Sequence, residues 1–218
     1  MPSAERGESM KETFRRLEAG RQEEILKAAM REFAENGYDK ASTNRIVRDA
    51  GMSKGMLYYY FENKEDLFRD CIGYALDHME QSLESWIGTE REGFIERMAR
   101  IAEAKRRYFR EHPEISGFSA VILLSPNVPP SFRERLGTLM EEGKRKMFDG
   151  LDLSRFRGDL PPETLMRLVQ WTFDGYAREA EEQMKAEGVN FGDLDRYWDE
   201  FGVYLDAMKT IYYRGDGS

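Results

Sequence analysis

Apolar residues recur at helical spacing along nearly the whole chain, and runs of alternating apolar and polar residues are nearly absent. That pattern restricts the fold to packed helices. From Arg21, the residues Ile25, Leu26, Ala29, Met30 and Phe33 share one face until Asn36-Gly37 stops the helix. Ser42 is placed to cap a short helix that turns Ile46, Val47 and Ala50 inward and ends at Gly51. Ser53 can cap another, with Leu57 and Phe61 on one side. Asn63 then caps a long helix, with Asp66 as capping-box partner and a stripe of Phe68, Ile72, Leu76, Met79, Leu83 and Ile87 running up to Gly88. Further helices are expected over 93–111, 114–124, 131–151, 161–188 and 191–214, broken by Pro113, the turn-rich 125–130 and a loop at 152–162.

The expectation is an all-α protein of about nine helices, without internal repeats. It divides into a flexible lead-in at 1–20, whose Phe14 and Leu17 can extend the first helix, a three-helix N-terminal helix-turn-helix domain at 21–67, and a larger helical domain at 68–218.

Charge narrows the partners. The 218 residues carry 33 Lys/Arg and 41 Asp/Glu, a net −8. Residues 1–70 hold 13 of the cations against 14 acids, so the remainder holds 20 against 27. Within residues 40–64 the sign reverses: Lys40, Arg45, Arg48, Lys54 and Lys64 face only Asp49 and Glu62. A basic island on an acidic body suits local docking on nucleic acid without general stickiness. The longest apolar run, 120–124, is far below the roughly 20 residues of a membrane span. The polar first 20 residues do not read as a secretory signal, and the single Cys71 fits a reducing compartment, so a cytoplasmic location is expected.

Three short helices in about 40 residues, with the tight turn Gly51-Met52-Ser53 between the last two, make a helix-turn-helix candidate. Neither short helix is stable alone, so Ile46, Val47, Ala50, Leu57 and Phe61 must lock them onto Ile25, Ala29 and Phe33. The opposite face then presents Lys54, Gly55, Met56, Tyr58 and Tyr59. Monomer folding has no use for exposed tyrosines beside a lysine, whereas a DNA groove and its phosphates do.

On Ile25, Ala28, Phe33, Gly37, Tyr38, Ser42, Ile46, Ala50, Gly51, Ser53, Lys54, Gly55, Leu57, Tyr58, Tyr60, Phe61, Lys64 and Leu67, and above all on the run GMSKGMLYYYFENKEDLF, residues 21–67 resemble the DNA-binding domain of the TetR family of transcriptional regulators. The resemblance implies that Ser42 and Thr43 touch phosphates and that Asn44 reaches a base or a phosphate. It implies that Lys54, Gly55, Met56 and Tyr59 face the major groove. It puts Tyr58 and Tyr60 on backbone phosphates, and Lys64 on another phosphate at a helix N-terminus. Val47 stands where alanine is usual in the family, a mild packing change, and Tyr60 where histidine is frequent.

Elsewhere the bland and the sharp readings stand side by side. His78 and His112 lie on different predicted helices and read as ordinary core or surface histidines. Cys71 reads as a small buried hydrophobe. Lys105 falls in the apolar row Phe94, Met98, Ile101, Tyr108, either snorkelling at the core's edge or aimed at a ligand. Candidate lining for an effector pocket is Met98, Lys105, Tyr108, Phe109, Phe118, Met140, Phe173 and Tyr176. The last two helices each carry two apolar faces, one of them running Leu194, Trp198, Phe201, Leu205, Met208 and Tyr212. The doubling implies a second partner beyond the parent fold, and Leu168, Trp171, Gly175, Tyr204 and Ile211 are the candidate homodimer interface.

The expected function is a non-enzymatic, sequence-specific regulator: a homodimer on a palindromic double-stranded operator, released by a small apolar or amphipathic effector. No cofactor, metal or membrane is expected. A transcriptional activator or a ligand-independent regulator of the same fold is the near alternative. An all-helical enzyme needs a catalytic constellation that the sequence lacks, and a protein-only adaptor predicts no salt-dependent DNA retention.

Overall fold

The computed structural model of the protein describes residues 11–87, 92–187 and 195–214. Every element among them is helical: α1 (Glu12–Arg15), α2 (Ala19–Lys40), α3 (Thr43–Asp49), α4 (Lys54–Tyr60), α5 (Lys64–Ile87), α6 (Phe94–Glu111), α7 (Pro113–Leu124), α8 (Pro130–Phe148), α9 (Pro162–Glu187) and α10 (Asp195–Tyr212), with a 3₁₀ turn at Leu153–Arg155. The expected Gly88 and Gly188 helix ends, the start at Phe191 and the stripe residue Leu194 lie outside the described residues, as does the lead-in up to residue 10.

The chain forms two compact units. The first gathers the chain up to Glu80 together with His112–Gly137, and the second Gln81–Glu111 with everything from Thr138. The first unit is built on α2, whose apolar face (Ile25, Leu26, Ala29, Met30, Phe33) is almost fully buried. Gly37 ends the regular helix with φ 67° and ψ 169°, a conformation that side chains with a Cβ rarely adopt. Along α2 lies α7, so close that a Cβ on Gly117 would meet the Ala34 Cβ at 3.2 Å. Phe33, Phe68 and Phe118 meet ring to ring beneath this contact, at centroid distances of 4.9 to 6.0 Å. Cys71 is fully buried, and desolvation pushes its thiol well above its usual pKa, which fits its reading as a small hydrophobe.

One expectation is corrected here. Residues 11–20 do not form a flexible lead-in: α1 drives Phe14 fully into the core, against Tyr60 at 5.7 Å and Phe61 at 4.7 Å. Phe14 does so from a separate short helix and not as an extension of the first one, and burying one ring is worth about 2–3 kcal/mol, enough to order a single turn.

In the second unit α10 packs on α6 and α9. The segment after α8, expected as plain loop, is tied to the end of α10. Phe156 and Tyr213 form an antiparallel bridge, flanked by Arg157 N–H donating to the Tyr212 carbonyl at 2.9 Å and Arg214 N–H to the Arg155 carbonyl at 3.0 Å. The Tyr213 hydroxyl in turn donates to Glu96 at 2.8 Å. Arg97, buried, donates to carbonyls of Lys146, Met147 and Asp149 where α8 ends, neutralising the negative end of that helix.

Candidate nucleic-acid interface

Helices α3 and α4 are seven residues each, too short to persist without tertiary support. Ile46 and Val47 from α3, and Leu57 and Phe61 from α4 and its end, are buried and supply it. The turn between them needs a left-handed residue, and Gly51 provides φ 59°. Arg21 reaches across from α2 and donates Nη2 to the Ala50 carbonyl at 2.8 Å and the Gly51 carbonyl at 3.4 Å, fixing that turn. Ser53 caps α4, its hydroxyl accepting the Met56 N–H at 3.2 Å. Asn63 accepts the Asp66 N–H at 2.9 Å, as expected of the cap that starts α5, while Asp66 accepts the N–H of Glu62, one residue before the cap, at 3.1 Å.

Helical geometry then decides which side chains of α4 face outward. Leu57 points in, and Tyr60, three residues on, follows it. Lys54, Gly55, Met56, Tyr58 and Tyr59 form the exposed face, with Tyr59 at 63% relative exposure. Asn44 is exposed near the start of α3, beside half-buried Ser42 and Thr43.

Two of the residues expected on phosphates have partners within the protein. Tyr60 is 7% exposed, its ring edge-on to Phe14 and Tyr59. Lys64 lays its ammonium against three backbone carbonyls where α2 ends, of Tyr38 at 2.7 Å, Asp39 at 3.2 Å and Ala41 at 3.3 Å, over the Tyr38 ring at 4.8 Å. Those carbonyls have no helical partner, and the lysine replaces it.

Sequence reasoning also missed Glu32. Ser42 stands at the start of α3 but makes no side-chain cap; its N–H goes instead to the Glu32 carboxylate at 2.8 Å. The same buried carboxylate accepts Arg45 Nε on both oxygens, at 3.0 and 2.9 Å. Its pKa is lowered by the Arg45 hydrogen bond, which outweighs the opposing desolvation. The signal was there: Glu32 is three residues beyond Ala29, an acid on an apolar face.

The candidate pocket residues do not all come together. Phe118 belongs to the first unit's core with Phe33 and Phe68, fully buried. Met140 stands 58% exposed. Phe173 and Tyr176 pack on Phe201, at 5.8 and 5.4 Å, and Tyr176 also donates to the Tyr197 carbonyl at 2.9 Å. Met98 and Tyr108 are buried on α6, and the Tyr108 ring meets Phe109 and Trp86 at 5.5 and 5.2 Å. Lys105, half-buried, lies over that same Trp86 ring at 5.6 Å. Of the interface candidates, Trp171, Tyr204 and Ile211 are exposed, Leu168 is half-buried, and a Cβ on Gly175 would meet nothing within 4 Å.

His78 and His112 meet at 6.0 Å between ring centroids, with the Tyr74 ring tilted against the former at 4.3 Å, a proximity the sequence did not reveal. Among the described residues no group of three or more His, Cys, Asp or Glu is placed to hold a metal ion, and no described helix is long and apolar enough to cross a membrane.

Comparison with known proteins places this geometry. Residues 25–71, spanning most of α2 through the start of α5, match the family of bacterial regulatory proteins described as tetR. The chain is 26% identical over 168 residues to the HTH-type transcriptional repressor AcnR of Corynebacterium efficiens, covering 77% of this chain and 86% of that one. Over 60 residues it is 45% identical to the HTH-type regulator YvdT of Bacillus subtilis, covering 28% of this chain and 31% of that one. Among solved structures, a TetR family transcription regulator from Marinobacter aquaeolei VT8 superposes with a TM-score of 0.57 at 19% identity, over 89% of this chain and 96% of that one; it speaks for the fold. An exposed Lys-Gly-Met-Tyr-Tyr face on a capped helix, held by a helix-turn-helix core, makes this chain a DNA-binding transcriptional regulator whose residues 25–71 are similar to the tetR family of bacterial regulatory proteins.

Proposed function

We propose that the protein is a cytoplasmic, non-enzymatic repressor that grips a palindromic operator as a homodimer and leaves it when a small apolar or amphipathic molecule binds the second unit. The observation that carries DNA reading is the outward face of α4, where Lys54, Gly55, Met56 and Tyr59 stand together on a helix whose other face is locked in the core. Tyr58, Thr43, Ser42 and Asn44 flank it as phosphate and base contacts. Repression as the direction of control is supported by relatives named as repressors, AcnR among them.

Dimerisation is supported by the apolar exposure of α9 and α10. Trp171 at 63%, Val203 at 67%, Tyr204 at 44% and Ile211 at 54% are exposed, and a Cβ on Gly175 or Gly202 would meet nothing within 4 Å. Two recognition helices carried by such a dimer read half-sites in successive major grooves, about 34–36 Å apart. For an effector to release the operator it must bind the non-matching arrangement more tightly than the matching one.

Selection of bound sequences from random duplex DNA tests the reading. An inverted repeat should emerge, bound with steep salt dependence. Equal affinity for the repeat and for scrambled DNA, without a salt slope, would sink it.

A further inference from the structure

Among its described residues, the second unit treats its half-buried and buried cations alike, with one exception. Each of the others that is half-buried or buried meets a carboxylate: Arg97 and Arg100 meet Glu92, Arg106 meets Asp195 and Asp199, Lys144 meets Asp174, and Lys146 meets Glu142. Lys105 meets none among the described residues. Its one contact with a charged or aromatic group is the Trp86 ring, 5.6 Å from the ammonium to the centroid.

The setting makes that solitude costly. Lys105 sits on α6 between Ile101, one turn before, and Tyr108, one turn after; both are buried, as is Met98 a further turn back. Trp86 is itself buried, and it meets the Tyr108 ring at 5.2 Å and the Phe109 ring at 6.5 Å, so the indole beneath the lysine is joined to two further rings. Desolvation alone, with no acid nearby to oppose it, pulls its pKa below the ordinary lysine value. An indole face compensates part of an ammonium's charge, but it leaves the N–H donors without acceptors.

We propose that Lys105 anchors the effector, and that the effector is an amphipathic carboxylate: its acid group pairs with the Lys105 ammonium while its apolar body lies on Trp86, Tyr108 and Phe109. The inference rests on the ligand-controlled reading above and names the chemical class of the ligand. One monovalent cation in an apolar row matches one carboxylate, giving a charge-assisted hydrogen bond that water and the indole cannot replace. A phosphate dianion would call for a second free cation, and the adjacent Arg106 is already engaged by two aspartates. An organic cation would meet repulsion. A neutral molecule would leave the ammonium as poorly solvated as before.

Calorimetric titration of the full-length protein with two matched series decides it: octanoate, octanol and octylammonium, then 2-naphthoate, 2-naphthalenemethanol and 2-naphthalenemethylammonium. In at least one series the acid should bind about tenfold tighter than the alcohol, with the ammonium weakest. In Lys105→Met, which keeps the apolar stem, that ratio should fall to about one while the alcohol's affinity holds; Lys105→Arg should restore it. Equal affinities in the wild type, a preference for acid that survives in Lys105→Met, or no binding by either acid overturns the proposal. Following operator release in the same titrations separates the two levels. Acid binding without release removes ligand control and leaves the Lys105 anchor standing; release driven equally by alcohol and acid does the reverse.

Discussion

The Arg45 guanidinium closes on the Glu32 carboxylate from α3 to α2, and the same carboxylate holds the Ser42 amide at 2.8 Å. One buried acid thus orients α3 and satisfies the amide of its N-cap residue, the task that the acidic partner performs in a capping box. Glu32→Ala should cost about 1–3 kcal/mol, because it strands a backbone donor and a cation's partner in the interior. The folded carboxyl titrates below its ordinary value, so the unfolded chain takes up the proton first. The stabilisation is therefore whole above the usual glutamate pKa and drains away as the pH falls through the folded value. Chemical denaturation at neutral and acidic pH should show wild type and Glu32→Gln converging as the pH drops.

Lys64 is engaged by the carbonyls of Tyr38, Asp39 and Ala41. Lys64→Ala should lower stability by about 1–2 kcal/mol and leave the salt slope of DNA binding unchanged for the protein that remains folded. Lys54→Ala, at an exposed site on α4, should do the opposite, with native stability and altered base preference. A flattened salt slope in Lys64→Ala at full stability would return that lysine to the phosphate backbone.

Gly55 sits inside α4 with only the Ser53 hydroxyl, 3.9 Å away, near where a Cβ would go. A glycine there weakens the helix by up to about 1 kcal/mol relative to alanine. Gly55→Ala should therefore raise the melting temperature of the free protein. If the groove needs the close approach, the same change weakens operator binding. Unchanged affinity in a stabilised variant would take Gly55 out of the interface.

Charge on the exposed faces of α9 and α10 should hardly disturb an isolated protomer. Trp171→Glu and Ile211→Lys are thus expected to yield folded monomers by sedimentation, or unfolded chains if the interface is obligate. Either outcome should abolish tight binding to the inverted repeat. Wild type sedimenting as a monomer at micromolar concentration would remove the dimer.

His78 lies beside His112, in reach of Glu23 and Lys27 from α2 and Asp77 from its own helix. Desolvation, followed by the charge of His112, lowers its pKa, so the unfolded chain binds the proton more readily. Stability should fall as the pH drops below the ordinary histidine value of about 6.5. His78→Gln should make thermal unfolding less sensitive across that range.

The face of α4 was legible in the sequence because it obeys local rules: a cap at Ser53, a left-handed glycine at 51 and inward residues three or four apart. What escaped is what spans the chain. Nothing local tells Lys64 that its partners lie 26 residues back, or Arg21 that it will hold a turn near Ala50. Tyr60 differs for another reason. The resemblance assigned it a phosphate, whereas its spacing from Leu57 already put it on the inward side. Phe14 was visible as a helical residue but not its partners Tyr60 and Phe61, and the pairing of Phe156 with Tyr213 joins residues far apart in sequence.

The packing of α7 against α2 sets how this protein can be cut. A fragment ending at Leu67 would lack Phe68 and Phe118, and would leave Phe33 and the side of α2 around Ala34 bare to water. Such a headpiece, convenient for spectroscopy or for grafting onto another sensor, should aggregate or melt at low temperature. The smallest portion that keeps the DNA reader dry is discontinuous along the chain, so a useful chimera must carry α7 with its head, spliced within α5 and α8.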